Sequence, residues 1–371
     1  MVAVINFLNT IFWGYVLIYG LLAVGVFFTI RLGFIQFRHF GEMFRVIRGS
    51  RETDEAGITP FQALTVSLAS RVGTGNIAGV AVALYLGGPG AIFWMWLVAL
   101  VGMATAYSES SLAQLFKVKN EEGQYRGGPA FYIARGLGAP WAAVIFSIAL
   151  ILSFGLVFNA VQANSIAQAV EGAFSIPPLV TGIAIAALTG VVIFGGIRQI
   201  ATVAEFVVPF MAGVYLLLAV IVLIMNIGEV PGMLGHILAS AFGLEEAAGG
   251  VTGGLAAALL NGVKRGLFSN EAGMGPAPNI AACAVREPHH PSSQGFVQAL
   301  GVFIDTLLVC TATALLILLS GVMGPENELT GTALTQAALV EHIGVFGGPF
   351  IAIAIFFFAF TSIIGNYSYA E

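Results

Sequence analysis

Read by hydropathy, the chain is a series of long apolar runs divided by short polar joints. The first, Ile11 to Ile30, is uncharged and close to the roughly 20 residues a helix needs to cross a bilayer. It exceeds a signal-peptide core and no basic residue precedes it, so it predicts a retained helix rather than a cleaved leader. A loop from Arg31 to Glu55 follows, and Pro60 opens a second span that ends at Gly87-Gly88-Pro89-Gly90. Further spans are predicted from Ala91 to Tyr107, Trp141 to Val170, Leu179 to Phe194, and from Arg198 to near Ile227. The stretch Gly228 to Gly250 is amphipathic and predicts a short helix outside the membrane plane. A glycine-rich seventh span runs from Val251 to Ala284, and the eighth, Phe296 to Val322, contains Asp305. A polar loop from Gly324 to His342 leads to a ninth span from Phe350. Glu371 follows the last apolar residues closely, so the bundle reads as C-terminally incomplete.

Two of these spans are internally inconsistent. In the second, Ser67 to Gly79 places Gly73, Gly75 and Gly79 beside Arg71, Thr74 and Asn76. Glycine costs roughly 1 kcal/mol against alanine in a helix interior. Uncoiled backbone at membrane depth survives only where protein or a watery cavity receives its polar groups. The pattern predicts a helix broken at mid-depth, facing a site. The seventh span is interrupted in the same way by Ser269-Asn270-Glu271-Ala272-Gly273-Met274-Gly275.

Composition agrees. The chain is 58% hydrophobic and 9% charged with mean hydropathy +0.94, against about 25% charged residues in soluble domains. An all-α membrane protein is expected, as one transmembrane domain over 1–371. The net charge of −5 says little about partners beyond the lipid bilayer. No Lys/Arg tract suggests nucleic acid, and nothing sets an oligomeric state. Two cysteines, Cys283 and Cys310, are too few for a thiolate metal site, and no disulfide is expected.

The loops give an orientation. With alternating crossings, Arg31 to Arg51, Lys117 to Arg135, Arg198 and Arg286 fall on one side. The opposite loops, around Gly88, Glu171, Glu229–Glu246 and Glu326–Glu341, hold no Lys or Arg. The positive-inside rule then puts the N-terminus outside. If the seventh span begins a second copy of the unit begun by the second, the copies enter from opposite sides. That is an inverted repeat with a break in the first helix of each half: 11–30 as an extra helix, 60–227 as the first five-helix repeat, 251–371 as a partial second.

The run Gly87 to Gly102 (GGPGAIFWMWLVALVG) resembles the signature of the alanine/glycine:cation symporter family across its length. Val72 to Val80, Ser269 to Gly275, Gly195 to Arg198 and Gly365 to Glu371 are similar to further motifs of that family. The resemblance implies a leucine-transporter-like five-plus-five inverted-repeat bundle after one extra helix. It implies a secondary carrier of the plasma (inner) membrane that takes alanine, glycine or related small neutral amino acids inward with sodium, without cofactor and not as an enzyme. A proton-coupled amino-acid carrier is the alternative.

The cargo asks for few groups. A carboxylate suits backbone N–H groups at a half-helix N-terminus, where Thr74, Gly75 and Asn76 lie. The ammonium needs acceptors, and Gln162, near mid-depth in a span that the resemblance brings to the substrate, is the leading amide. Ser362 and Asn366 are placed with them. The resemblance also implies a sodium site made by the carbonyls of Ala69 and Val72 and the hydroxyls of Thr361 and Ser362. Many family members carry Trp where this chain has Asn366, so the pocket is expected to be roomier or more polar.

Other readings compete. Gly75 and Gly79 form GxxxG, which packs helices. Gly73 to Ala78 also fits G-x-G-x-x-A, but without a βαβ setting. Gln162 also reads as glue between helices. Arg71, Glu109, Glu205, Glu271, Asp305 and the Lys264-Arg265 pair are costly in lipid and are expected mainly to pair inside or to reach the interface; Asp305 is the one singled out for ion coupling. His289 and His290 read as loop residues, and Trp94 and Trp96 as packing and interface anchors. A channel would more often show a repeated filter motif. An enzyme would need a catalytic constellation, and G-x-S-x-G, H-E-x-x-H and the P-loop are all missing.

Overall fold

Hydropathy dictates where each element starts, and local chemistry sharpens the ends. Thr59 and Gln62 close a reciprocal cap at 3.1 Å each way, and Pro60 sits at the first helical position, where its missing N–H is harmless. The computed structural model describes residues 2–49, 56–244, 254–285, 290–324 and 328–370. Arg51, Glu246, Arg286, His289, Glu326 and Glu371, invoked above, lie outside them.

Among the described residues six helices are long and apolar enough to cross a membrane: Phe7–Arg31, Gly90–Leu115, Pro140–Phe174, Gly196–Met225, Ser292–Leu319 and Gly331–Ala370. The last is two helices, Gly331–Ile343 and Gly347–Ala370, joined by a tight turn. The shorter Pro178–Ile193 supplies another predicted span. The remaining two are split. Pro60–Arg71 is followed by Gly75–Gly87, and Gly254–Asn270 by Ala277–Cys283. Each split falls where glycines cluster, so neither span registers as one long apolar helix.

Polarity is inverted relative to a water-soluble protein. Large apolar side chains on the first helix (Phe7, Phe12, Tyr15) and on Phe206 and Phe210 face outward, while Asn76, Asn270, Gln298, Asp305 and Asn366 are fully buried. That is the distribution lipid demands. Gly90–Leu115 runs through the centre, against Gly254–Asn270 and Ser292–Leu319. Small residues permit the approach, as in other membrane bundles. A Cβ at Gly266 would lie 2.5 Å from Val98 Cγ1, and one at Gly90 would lie 2.5 Å from the backbone nitrogen of Ala241. Backbone cannot yield as a side chain can. Gly90→Ala is therefore expected to destabilise the bundle by about 1–3 kcal/mol, read as a lower melting temperature in detergent.

The start of the second span, the Lys117–Arg126 segment and the end of the seventh span meet at one end. Ile58 bridges Ala284 in parallel, Tyr125 donates its N–H to the Ala56 carbonyl, and Lys117 Nζ reaches the Ala284 carbonyl at 2.6 Å. A small hairpin, Val118–Lys119 with Tyr125–Arg126, lies there and qualifies the all-α expectation. At the other end Gly88 and Gly90 lie against Ser240 and Ala241.

Two predicted loops are partly helical. Arg31 to Glu55 contains Phe40–Gly49, and Gly324 to His342 contains Gly331–Ile343. The latter is too short and polar to signal a span, but Leu334, Ala338 and Leu339 bury one face of it against the bundle. The predicted Gly228 to Gly250 helix is present as Val230–Ala241. The third and fourth spans extend past their predicted ends, to Leu115 and Phe174.

Candidate substrate and ion site

The first break arises because two backbone N–H groups find side chains instead of helix carbonyls. Val72 N–H still bonds the Leu68 carbonyl at 2.7 Å. Gly73 N–H, which would continue the ladder to Ala69, donates instead to Asn76 Oδ1 at 2.9 Å. Thr74 N–H, due at Ser70, donates to Gln162 Oε1 at 3.0 Å. The carbonyls of Ala69 and Ser70 thereby lose their i+4 helical donors. The chain re-enters helix through one wide turn, Gly75–Gly79. Thr74 Oγ1 is buried and makes no hydrogen bond among the described residues.

The ninth span lies directly on this break. A Cβ at Gly365 would meet the Ser70 nitrogen at 2.8 Å, and one at Gly73 would collide with Ser362 Oγ. Asn366 accepts a short hydrogen bond from Ser70 Oγ and donates to Asn159 Oδ1 at 3.0 Å. Ser362 Oγ donates to the Phe358 carbonyl at 3.0 Å, and Thr361 Oγ1 to the same carbonyl at 2.9 Å. With their protons turned back along the helix, both oxygens keep lone pairs for a cation. Ala69, Val72, Thr361 and Ser362 are all fully buried. Ser362 abuts the break, whereas the Thr361 hydroxyl also lies 3.7 Å from Met211 Sδ.

The second break faces the first. Glu271, Gly273 and Gly275 take positive φ (56°, 82° and 92°), two of them glycines suited to that region. Gly273 N–H donates to Glu109 Oε1 at 3.2 Å. Just before this break Ser269 Oγ donates to Asp305 Oδ2 at 2.8 Å, and Thr306 Oγ1 reaches the same oxygen at 2.7 Å. Asn76 Nδ2 donates to Asp305 Oδ1 at 2.6 Å. Because Asn76 Oδ1 is committed to Gly73 N–H, its amide nitrogen must face the carboxylate. Asp305 therefore holds the side chain that holds the first break open.

A cavity of about 400 Å³ adjoins the break, with Thr74, Gly79, Ser165, Gln168 and Phe268 in its wall. Phe268 covers Gly75, whose Cβ would lie 3.3 Å from the ring, and stacks on Phe158 at 4.9 Å.

The profile described as the sodium:alanine symporter family matches residues 1–371. The chain belongs to that family. It is similar to the amino-acid carrier protein AlsT of Bacillus subtilis (strain 168), at 51% identity over 369 residues covering 100% of this chain and 77% of that one. It is also similar to the sodium/alanine symporter AgcS of Methanococcus maripaludis, at 40% identity over 379 residues covering 100% and 82%.

Within this symporter fold, several sequence expectations meet different partners. Gln162 touches the break itself, but its oxygen is already taken by Thr74 N–H; its amide nitrogen makes no hydrogen bond among the described residues. The buried charges do not pair. Among the described residues none of Arg71, Glu109, Glu205, Glu271 or Asp305 lies within 4.0 Å of an opposite charge. Arg71 donates to the Gln298 carbonyl at 3.2 Å, and Glu205 accepts from Gln62 at 3.0 Å. For Glu109, Glu205 and Asp305 the second break and neighbouring amides and hydroxyls supply donors that counter-ions would otherwise provide, whereas Arg71 Nε and Nη2 and Glu271 Oε2 are buried without a hydrogen-bond partner among the described residues. Trp94 and Trp96 hydrogen-bond within the bundle, to the Ala241 carbonyl and Thr311 Oγ1. Cys283 and Cys310 are both free, and His290 is exposed and bonds Ser292. Phe268 was not anticipated, and Ser269 was noted only as the first residue of the second interruption, with no contact assigned to it. The signal available was their place at the start of that glycine-rich stretch.

Proposed function

We propose that this chain carries a small neutral amino acid, alanine or glycine, into the cell together with sodium, by alternating access across the plasma membrane. The observation that carries this is the first break: carbonyls without helical donors, an unpartnered Thr74 hydroxyl and two serines, all buried at the crossing of the second and ninth spans. Sodium takes the carbonyls of Ala69 and Val72 with the hydroxyls of Thr361 and Ser362. The carboxylate meets the Thr74–Gly75–Asn76 backbone, assisted by the Gln162 amide nitrogen. The ammonium takes the Asn366 oxygen and carbonyls left by unwinding. AgcS, named a sodium/alanine symporter, supports this choice of cargo and ion.

The two units are 60–227 and 251–371, related as inverted repeats after the extra helix at 11–30. Their paired breaks support this, and the two meet through Asn76, Ser269 and Asp305. Basic segments gathered at one end support a cytoplasmic face there and an N-terminus outside.

Reconstituted vesicles with an inward sodium gradient are expected to accumulate labelled alanine saturably. Ser362→Ala is expected to raise the sodium half-saturation about tenfold, the loss of one charge-assisted contact. Thr74→Val is expected to raise the alanine KM by a similar factor. Uptake driven equally by a proton gradient without sodium would favour the proton-coupled alternative, for which Asp305, Glu109 and Glu271 are buried carboxyl groups; unitary currents would indicate a channel.

A further inference from the structure

The cavity beside the first break holds one feature that the proposed site does not use. Arg265, four residues before Ser269 on the Gly254–Asn270 helix, forms part of its wall. It is partly buried. Among the described residues it makes no hydrogen bond and no ion pair. Among the described residues no acidic side chain lines the cavity; its other polar walls are Thr74, Ser165, Gln168, Gln336 and threonines near Gly331. Gln336 spends its amide nitrogen on the Ala169 and Gly348 carbonyls. A guanidinium at membrane depth ordinarily finds an anion or a carbonyl, because desolvation without a partner is unfavourable. Here none of the described residues supplies one.

We propose that Arg265 is a carboxylate-capture subsite, distinct from the Thr74–Asn76 backbone, that receives the α-carboxylate of the amino acid in this cavity before it passes Phe268. This rests on the symport reading above. The chemistry is that of a planar guanidinium, which binds a carboxylate through two parallel N–H bonds and does so better than an ammonium. A single positive charge in a cleft also raises the local concentration of the carboxylate end of a zwitterion. The buried hydroxyl of Thr74, in the same wall, is the next polar group on the path to the break. The class of ligand follows: a free carboxylate is required, and the corresponding amide is refused.

The test uses the full chain in vesicles with an inward sodium gradient, with alanine and alaninamide as competitors of labelled alanine uptake. Arg265→Gln is expected to raise the alanine KM about tenfold or more, with kcat within about twofold. The preference for alanine over alaninamide should fall by the same factor, and Arg265→Lys should restore it only in part. As a reading that needs no variant, phenylglyoxal modification of Arg265 in the unaltered protein, mapped by mass spectrometry, should be slowed by alanine and not by alaninamide. Unchanged KM and preference in a folded Arg265→Gln overturns the assignment. So does modification that alanine leaves unslowed. In both cases the symport reading stands, provided the unaltered chain transports; if it takes up no neutral amino acid, that reading fails and the subsite with it.

Discussion

Gly73→Ala is expected to abolish sodium-dependent alanine uptake while leaving the protein folded. The added methyl would collide with Ser362 Oγ and stand 2.9 Å from Gln162 Oε1 and 3.0 Å from its Nε2. Overpacking of this kind costs about 1–3 kcal/mol. A membrane bundle can absorb that by letting the ninth span and the Gln162 helix move back from the break. The displacement falls on the proposed sodium and substrate contacts together, so both sodium half-saturation and alanine KM should rise beyond measurement. Gly79→Ala is the control. The nearest atom to its Cβ is the Thr74 carbonyl oxygen at 3.7 Å, ordinary contact, and uptake should stay within a few-fold of the unaltered protein. If the glycines served only helix packing through the Gly75–Gly79 GxxxG, Gly79→Ala would be the more damaging of the two.

Asp305→Ala is expected to lower kcat/KM for alanine by more than about a hundredfold. Its carboxylate takes three donors, from Asn76, Ser269 and Thr306. Each donor stranded in a buried site costs about 1–3 kcal/mol. Ser269 and Asn76 also lie 3.2 Å apart and can satisfy one another in part, so the sum is an upper bound. The informative consequence is positional. Freed from Asp305, the Asn76 amide no longer presents its oxygen to Gly73 N–H, and that N–H can return to the Ala69 carbonyl, removing a proposed sodium ligand. Hydrogen exchange at Gly73 and Thr74 would change with the sodium half-saturation. Asp305→Asn retains an oxygen for Asn76 but loses the charge that roughly doubles the strength of the bond, and should fall between. A variant with normal sodium affinity and unaltered exchange at Gly73 would deny Asp305 this role.

Much of this protein was readable from composition and spacing. The apolar runs gave the spans because transfer of a helix into lipid depends on local hydropathy summed over about 20 residues. The breaks were readable because Gly73, Gly75, Gly273 and Gly275 act locally, through backbone freedom. Gly331–Ile343 was missed for the complementary reason: alone it is a short, polar stretch, and only the face it buries against the bundle makes it a helix. The expectation that buried charges would pair failed because residue type does not reveal which backbone N–H groups a break will release. Glu109 is held by one of these, from Gly273.

The order of residues therefore decided that the chain lies in a membrane and which of its helices are interrupted, since each depends on neighbours in sequence. It did not decide what the uncoiled backbone would bond to. Thr74 chose Gln162, 88 positions away, and Asn76 chose Asp305, 229 positions away. In a medium without water every freed donor must be matched by whatever acceptor the packed bundle brings within about 3 Å, and that is settled only when the helices come together.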